Sequence, residues 1–224
     1  MKNLSAILTL IVFSLALHSC SKHATDKGVP YYRFTEDDKT KLLTGYNEGD
    51  VLVYKNGDNE IMKFTVAAST NGKMGYRTGT FWGSYVDVHF YYDEQKITML
   101  YAGGQLGSNF EITLHRYPVE SNYLLQNPVI GTPAFVGYID FPLWNKYSDS
   151  ITLSNTVFID FTAKTSTLTI NNKTYSQVSV IQSGTNDVLE PNSPFPKNVN
   201  TLYYDQHAGV VGFDDVNGKM WRLQ

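Results

Sequence analysis

Two histidines are the first candidates in this sequence for a catalytic pair or a metal site. His89 falls on one face of a strand-like segment with Asp87, and His115 falls on one face of another with Glu111. Two outward-facing strands could bring these groups together as a catalytic pair or a metal site. The sequence has no His-x-His, HExxH or cysteine-based ligand spacing, however. We therefore expect both histidines to be solvated, and we predict no metal site.

No other motif for catalysis or cofactor binding stands out. The chain lacks a G-x-S-x-G nucleophile motif, and the glycine-rich run 103–107 links two strand-like segments instead of opening a helix, as a phosphate-binding loop would. Residues 214–218 place oxygen ligands before a glycine but lack the distal glutamate of a calcium loop, so they favour a hairpin turn. Acid pairs for glycoside cleavage have no fixed spacing, so an enzymatic role stays open. The sequence favours a non-catalytic protein without cofactors.

Aromatic side chains are the best candidates for a binding surface. Phe, Tyr and Trp make up 14% of the chain, and Trp82, Tyr85, Tyr91 and Trp144 fall in predicted loops or on outward strand faces. Exposed aromatic platforms bind glycans or partner proteins through large, rigid surfaces with a polar tip. Sheets are also rich in aromatic residues for packing reasons alone, so a purely structural role is the alternative.

The only cysteine, Cys20, follows an apolar segment. Residues 1–19 begin with one positive charge, Lys2, and continue without charge through residues 4–17. As a helix, residues 4–17 would be about 21 Å long, which is too short for a hydrocarbon core of about 30 Å. The charge order and length are those of a signal peptide, and a lone cysteine cannot form an internal disulfide.

The run Leu17-His18-Ser19-Cys20 resembles the lipobox of bacterial lipoproteins. Leu17 and Ser19 match that motif, whereas His18 is larger than the residue usual at its position. The resemblance implies that Cys20 receives a diacylglyceryl thioether, that the peptide is cut before it, and that the new amino group is acylated. It also implies the outer membrane, because Ser21 replaces the aspartate that retains enterobacterial lipoproteins at the inner membrane. The leaflet stays open.

Length and composition predict one β domain behind a tether. The chain of 224 residues has a net charge of −3, which argues against a nucleic-acid partner. Polar residues 20–30 read as a flexible tether, and residues 31–224 are long enough for one domain with a substantial core. Low charge content with abundant aromatic and β-branched residues is typical of β proteins.

Hydrophobic periodicity divides the domain into about a dozen short strands. Period-two alternation and turn residues predict an all-β, antiparallel sandwich or barrel, with Asn56-Gly57, Asn71-Gly72 and Asn217-Gly218 as turns. In the strand 110–116, Phe110 and its alternate neighbours are expected to point inward, whereas Thr113 and His115 point outward. The predicted strands are 51–54, 62–66, 85–92, 96–101, 110–116, 133–141, 151–161, 166–171, 174–182, 202–204, 210–213 and 220–223.

One short helix is predicted near the start of the domain. Thr35 and Asp38 have the spacing of a capping box, and a glycine stop at Gly45 suggests a helix over residues 36–43.

Two stretches of the domain resemble a group of uncharacterised envelope lipoproteins of the Bacteroidetes. The first is Phe34-Thr35-Glu36-Asp37 with Leu42-Leu43 and Tyr46-Asn47-Glu48-Gly49-Asp50, and the second is Tyr203-Tyr204 with Gly209-Val210-Val211-Gly212-Phe213 and Gly218-Lys219-Met220-Trp221. This resemblance implies a Gram-negative envelope location and carries no activity. Asp149-Ser150-Ile151 also resembles the O-glycosylation pattern of exported Bacteroidetes proteins, which implies a modification at Ser150.

Taken together, the residues predict a membrane-anchored envelope lipoprotein that acts as a non-catalytic binding or structural module. Its expected partners are the membrane, through the N-terminal lipid, and a glycan or protein ligand. Two alternatives stay open: a cell-envelope hydrolase that acts on glycan or peptide, and an accessory protein that carries apolar cargo inside a barrel.

Overall fold

Twelve strands and one short helix make up the described part of the chain. The computed structural model describes residues 28–77, 88–102, 109–118, 133–145, 156–188, 191–192 and 197–224. The single helix of these residues, α1, is Glu36–Lys39, and no helix among them is long and apolar enough to cross a membrane. The strands are β1 Tyr31–Tyr32, β2 Val51–Lys55, β3 Ile61–Arg77, β4 Val88–Tyr101, β5 Asn109–Pro118, β6 Pro133–Asp140, β7 Thr156–Ile159, β8 Ser166–Ile170, β9 Lys173–Gln182, β10 Val199–Asp205, β11 Gly209–Asp215 and β12 Met220–Leu223.

All twelve strands belong to one curled sheet. Eleven of them follow the order β7-β6-β5-β4-β3-β2-β12-β11-β10-β9-β8 with antiparallel neighbours, while β1 pairs parallel to β4 beside this path. The sheet curls far enough for the chain after β6 to meet β10, where Asn145 N donates to Val199 O (2.7 Å) and Val199 N donates to Leu143 O (2.9 Å). The predicted all-β, antiparallel fold is confirmed, and its form is a half-barrel.

Aromatic rings fill the interior of the curl. Phe64, Phe110 and Phe141 come from three parts of the sheet and lie 5.1–6.4 Å apart between ring centroids. Tyr54 of β2 and Phe213 of β11 extend the same cluster, with centroids 5.2 Å apart. All five side chains are at most 1% exposed. Offset and edge-to-face ring pairs stabilise such a core beyond the burial of their area, which explains the high aromatic content.

Side-chain hydrogen bonds to the backbone stabilise the turns of two hairpins, β2–β3 and β11–β12. Between β2 and β3, Asn56 Oδ1 accepts from the backbone N–H groups of Asp58 and Glu60, both at 3.0 Å. Between β11 and β12, Asp215 Oδ1 accepts from Asn217 N and Lys219 N. The turns predicted at residues 56–57 and 217–218 are therefore confirmed, and the Asp215 carboxylate is used within its own turn.

The turn predicted at Asn71-Gly72 is wrong. β3 runs straight through these residues, which pair with Gln95 and Glu94 of β4. For the same reason, the two strands predicted at 85–92 and 96–101 form one strand from Val88 onward. Thirteen residues of β4 pair with β3, and this pairing outweighs the local turn preference of an Asn-Gly pair.

The predicted helix is shorter than expected. The capping box is present, since Thr35 Oγ1 accepts from Asp38 N and the Asp38 carboxylate accepts from Thr35 N. The helix ends at Lys39, however, and not at residue 43. Beyond it, the chain turns so that Leu43 can bond to β4, which a continued helix would prevent.

A pair of glycine substitutions tests how closely the core is packed at the start of β11. Gly209 has φ of +71°, and a Cβ built there would lie 2.3 Å from the Tyr46 hydroxyl oxygen. Gly218 has a similar φ of +81°, but a Cβ built there would have no atom of the described residues within 4 Å. We expect Gly218→Ala to lower the free energy of unfolding by about 1 kcal/mol through backbone strain, and Gly209→Ala to lower it by about 1–3 kcal/mol more through overpacking. Urea unfolding measures both, and equal losses would contradict this packing.

Candidate functional site

The structure describes some of the predicted site residues and not others. Cys20, Trp82, Tyr85 and Ser150 lie outside the described residues, so their roles stay predictions. Trp144 is only 1% exposed and packs in the core after β6. This corrects the expectation of an outward-facing Trp144, because the chain that closes the curl turns its ring inward.

The two histidines are far apart along the sheet. His115 pairs directly with Glu94 across β4 and β5, whereas His89 lies five residues from Glu94 on β4, about 17 Å along the strand. His115 is also buried, at 2% exposure, which corrects its predicted solvation. Tyr92, Tyr117 and Tyr138 surround its imidazole with ring centroids 5.2–5.5 Å away.

This arrangement gives the His115 ring few polar contacts. Neither of its nitrogens has a hydrogen-bond partner among the described residues, and Glu94 Oε2 is 3.9 Å from Nδ1. Among the residues that the structure describes, no three His, Cys, Asp or Glu side chains come close enough to hold a metal ion. His115 therefore packs as one ring of an aromatic cluster.

A polar cavity on the inner face of the β3–β4 hairpin is the best candidate for a binding site. Its volume is about 410 Å³, within the range of about 300–1,000 Å³ that is usual for ligand pockets. One wall is the chain that follows α1, and the other is the middle of the β3–β4 hairpin. The lining residues are Leu42, Leu43, Thr44, Tyr46, Asn47, Glu48, Ser69, Asn71 and Gln95.

The side chain of Gln95 joins the two walls. Its Oε1 accepts from Leu43 N at 2.8 Å, and its Nε2 donates to Leu43 O at 3.0 Å. Gln95 is 3% exposed, so water cannot easily replace either bond. The Gln95 amide therefore pairs with the backbone of Leu43 as a neighbouring strand would. This pairing fixes the chain that follows α1 against β4.

Tyr46 anchors the far end of the same wall. Its hydroxyl donates to Ala208 O at 2.7 Å, and its ring is 8% exposed. Burial, with a smaller contribution from nearby Tyr175 and Asp205, raises the pKa of Tyr46 well above the usual value for tyrosine. The hydroxyl is therefore a fixed donor at neutral pH, and it holds the cavity wall to the turn between β10 and β11.

Several cavity side chains remain available to a ligand. Thr44, Glu48 and Asn71 are exposed, and together with half-buried Ser69 they make no side-chain hydrogen bond within the described part of the chain. Hydroxyl, amide and carboxylate groups offer both donors and acceptors. Such a set suits a ligand rich in hydroxyl groups.

A second cluster lies farther along the same hairpin face, and we call Tyr31, Arg33, Lys73 and Tyr91 the tyrosine–cation patch. Lys73 Nζ lies 3.5 Å from the Tyr91 ring centroid and 5.1 Å from that of Tyr31. The Arg33 guanidinium lies 4.8 Å from the Tyr31 ring centroid. Tyr91, predicted from the sequence as a binding residue, is thus half-buried with a cation over its face.

Asp93 holds the N-terminal chain against this patch. Its carboxylate accepts from the Tyr31 hydroxyl at 2.5 Å and from Phe34 N at 2.9 Å. The hydrogen bond to Asp93, followed by burial, raises the pKa of Tyr31. Arg33 and Lys73 remain exposed at the surface of the patch.

Sequence analysis did not identify Gln95, Asp93 or Asn71 as site residues. Gln95 and Asp93 bond to residues 52 to 62 positions earlier in the chain. Asn71 was assigned to a turn because its neighbour is glycine. The only usable sequence signal was that Asp93 and Gln95, two alternate residues of β4, are polar although the other residues on the same face of the strand are largely apolar.

The chain matches no protein-family model, no curated protein and no solved structure. The candidate site therefore depends on geometry and chemistry alone.

The amide bridge between Gln95 and Leu43 can be tested by an isosteric change. Gln95→Met keeps the side-chain volume but leaves the buried N–H and C=O of Leu43 unpaired, so we expect the free energy of unfolding to fall by about 2–3 kcal/mol. Amide exchange at Leu43 should become faster. Gln182→Met, at an exposed position of β9, is the matched control and should change neither quantity. Unchanged exchange at Leu43 in Gln95→Met would show that the bridge does not hold the wall.

Proposed function

We propose that this protein is a lipid-anchored lipoprotein of the Gram-negative cell envelope that binds a glycan without cleaving it. The observation that carries the proposal is the cavity of about 410 Å³ beside the β3–β4 hairpin. Seven of its nine lining residues, all except Leu42 and Leu43, carry a polar group. Hydroxyl-rich ligands need many directional partners of this kind, with apolar carbons to pack beneath the sugar ring.

The balance of charge in the cavity supports binding over hydrolysis. Glu48 is the single carboxylate among the lining residues that the structure describes. Glycoside cleavage ordinarily uses two carboxylates on either side of the scissile bond. The hydrolase alternative would therefore need a second acid group beside Glu48.

The filled interior weighs against the alternative of apolar cargo. The largest buried side chains, including Trp144, Tyr54 and Phe64, are at most 1% exposed and occupy the inside of the curl. A cargo carrier needs an empty apolar space, whereas these rings pack against one another at van der Waals separations.

The envelope location is inferred from the N-terminal segment. A signal-like stretch over residues 1–19 that ends at a lone Cys20, in the context Leu17-His18-Ser19-Cys20, supports lipidation. Each buried methylene contributes about 0.8 kcal/mol, so several acyl chains hold a protein on a bilayer almost permanently. The outer membrane is the proposed location.

Glycan binding can be tested with full-length protein by affinity electrophoresis through gels that contain a soluble glucan, mannan, xylan or mucin. At least one of these polysaccharides should retard the protein. Asn71→Ala and Ser69→Ala should each weaken that retardation by about 3- to 10-fold, since each removes one neutral hydrogen-bonding group worth about 0.5–1.5 kcal/mol.

Thr70→Ala is the matched control for both variants. Thr70 lies between Ser69 and Asn71 on β3, and its exposed side chain points to the other face of the sheet. Its binding should equal that of the wild type. Failure of all four polysaccharides to retard the protein, or an equal loss in Thr70→Ala, would contradict the cavity as a glycan site. Release of shorter oligosaccharides during the run would instead favour the hydrolase.

Lipidation is tested separately by metabolic labelling with a clickable palmitate analogue. The wild type should incorporate the label and fractionate with the outer membrane, because acyl chains on Cys20 hold it there. Cys20→Ala should incorporate none and should no longer fractionate with the outer membrane, while Cys20→Ser distinguishes the thiol from a general effect of residue size. Labelling of Cys20→Ala at the wild-type level would place the lipid elsewhere.

A further inference from the structure

Glu48 stands on a turn whose backbone is fixed to β3. Asp50 N donates to Asn47 O at 3.0 Å, and the Asp50 carboxylate accepts from Asn47 N at 2.8 Å. Gly49 has φ of +91°, which is the conformation that a type II turn requires at its third residue. Gly49 N donates to Val66 O and Val66 N donates to Asp50 O, both at 2.8 Å. The backbone of Glu48 is therefore held in one position beside the cavity.

The carboxylate of Glu48 is the only charged group among the cavity lining residues that the structure describes. Its side chain is exposed and makes no hydrogen bond or ion pair within the described part of the chain. Asp50 adds a second negative charge to the same turn, although its carboxylate is hydrogen-bonded to Asn47. A ligand that enters the cavity therefore meets negative charge.

The lysines nearest the cavity along its two walls each have an acidic partner or neighbour. The pairs are Lys41 with Asp37 (2.6 Å), Lys96 with Glu111 (2.8 Å), and Lys73 with Asp93, its neighbour across β3 and β4. Lys96 also points to the other face of the sheet from Gln95, because successive side chains of a strand alternate. These cations therefore do not offset the charge of Glu48 for a ligand in the cavity.

The uncharged polar groups of the cavity suit a sugar ring beside this carboxylate. Thr44, Ser69 and Asn71 each present an oxygen that can accept a hydrogen bond, and none of them carries a charge. An ammonium group donates three hydrogen bonds and accepts none, so it needs acceptors of this kind. A sugar amine placed beside Glu48 is attracted by its carboxylate, whereas a sugar carboxylate is repelled.

We infer that Glu48 makes the cavity selective for amino sugars with a free amine and against uronic acids. This inference rests on the proposed glycan-binding function and names the class of sugar. Because Glu48 is exposed, water screens its attraction for an ammonium group. The preference over a neutral sugar is therefore about threefold to tenfold, between that of an exposed ion pair and that of a buried charge-assisted hydrogen bond.

Isothermal titration calorimetry with full-length protein tests this selectivity with three tetrasaccharides of one linkage. They are cellotetraose, its counterpart with an amine in place of the hydroxyl at carbon 2 of each ring, and its counterpart with a carboxylate at carbon 6 of each ring. A buffer of about pH 6 keeps the amines protonated. We expect the amino tetrasaccharide to bind about threefold to tenfold more tightly than cellotetraose, and the carboxylate form at least about threefold more weakly.

Variants with one altered carboxylate separate this effect from general electrostatic attraction. Glu48→Gln keeps the size of the side chain and removes its charge, so the three tetrasaccharides should bind within about twofold of one another. Glu48→Asp should keep the preference for the amine. Asp187→Asn makes the same change of charge at an exposed residue outside the cavity lining and should leave the three affinities in their wild-type ratios. An equal loss of preference in Asp187→Asn, or an unchanged preference in Glu48→Gln, would overturn the proposal.

The same titrations distinguish failure of this selectivity from failure of glycan binding. Equal affinity of the wild type for all three tetrasaccharides would refute the selectivity and leave glycan binding in place. Binding of none of them, with a polysaccharide gel still retarding the protein, would also refute only the amino-sugar assignment. Binding of none, without any such retardation, would refute both proposals. A tetralysine peptide that binds as tightly as the amino tetrasaccharide would overturn the assignment to sugars, since the cavity would then recognise ammonium groups alone.

Discussion

The contact between Gln95 and Leu43 is the constraint on which the rest of the structure depends. β3 and β4 extend past the aromatic core they help to enclose, and the rings around Phe90 and His115 cover one face of the outer half of this hairpin. The chain before β2 packs on the other face, and its backbone needs partners there. Gln95 supplies them to Leu43, and Asp93 supplies another to Phe34. Both the cavity and the tyrosine–cation patch exist because these two side chains hold the N-terminal chain on the hairpin.

Much of the fold could be predicted from the sequence, because alternation and turn residues act locally. The strand class, the antiparallel pairing, the turn at Asn56-Gly57 and the capping box at Thr35 all follow from neighbours a few residues apart. The errors arose where distant pairing outweighed local preference. Asn71-Gly72 has the composition of a turn, yet β4 holds it extended. His115 alternates with core residues as an outward residue should, yet neighbouring tyrosine rings bury it.

The candidate site was harder to predict than the fold for the same reason. Its essential side chains are ordinary amides and carboxylates, and nothing in their sequence context separates Gln95 from the exposed glutamines elsewhere. Their roles come from the segment placed opposite them, more than 50 residues away in sequence. The aromatic residues were the most conspicuous feature of the sequence, but those that the structure describes have other roles. Trp144 closes the curl from inside, and Tyr91 supports a cation at the surface.

The cavity and the patch share one strand face, and this fixes their separation. Asn71 lines the cavity, and Gly75, which pairs with Tyr91, lies four residues farther along β3. At about 3.4 Å per residue, Gly75 lies about 14 Å from Asn71 along the strand, and Lys73 of the patch lies about 7 Å from Asn71. The register of the long hairpin therefore sets the spacing between the cavity and the patch.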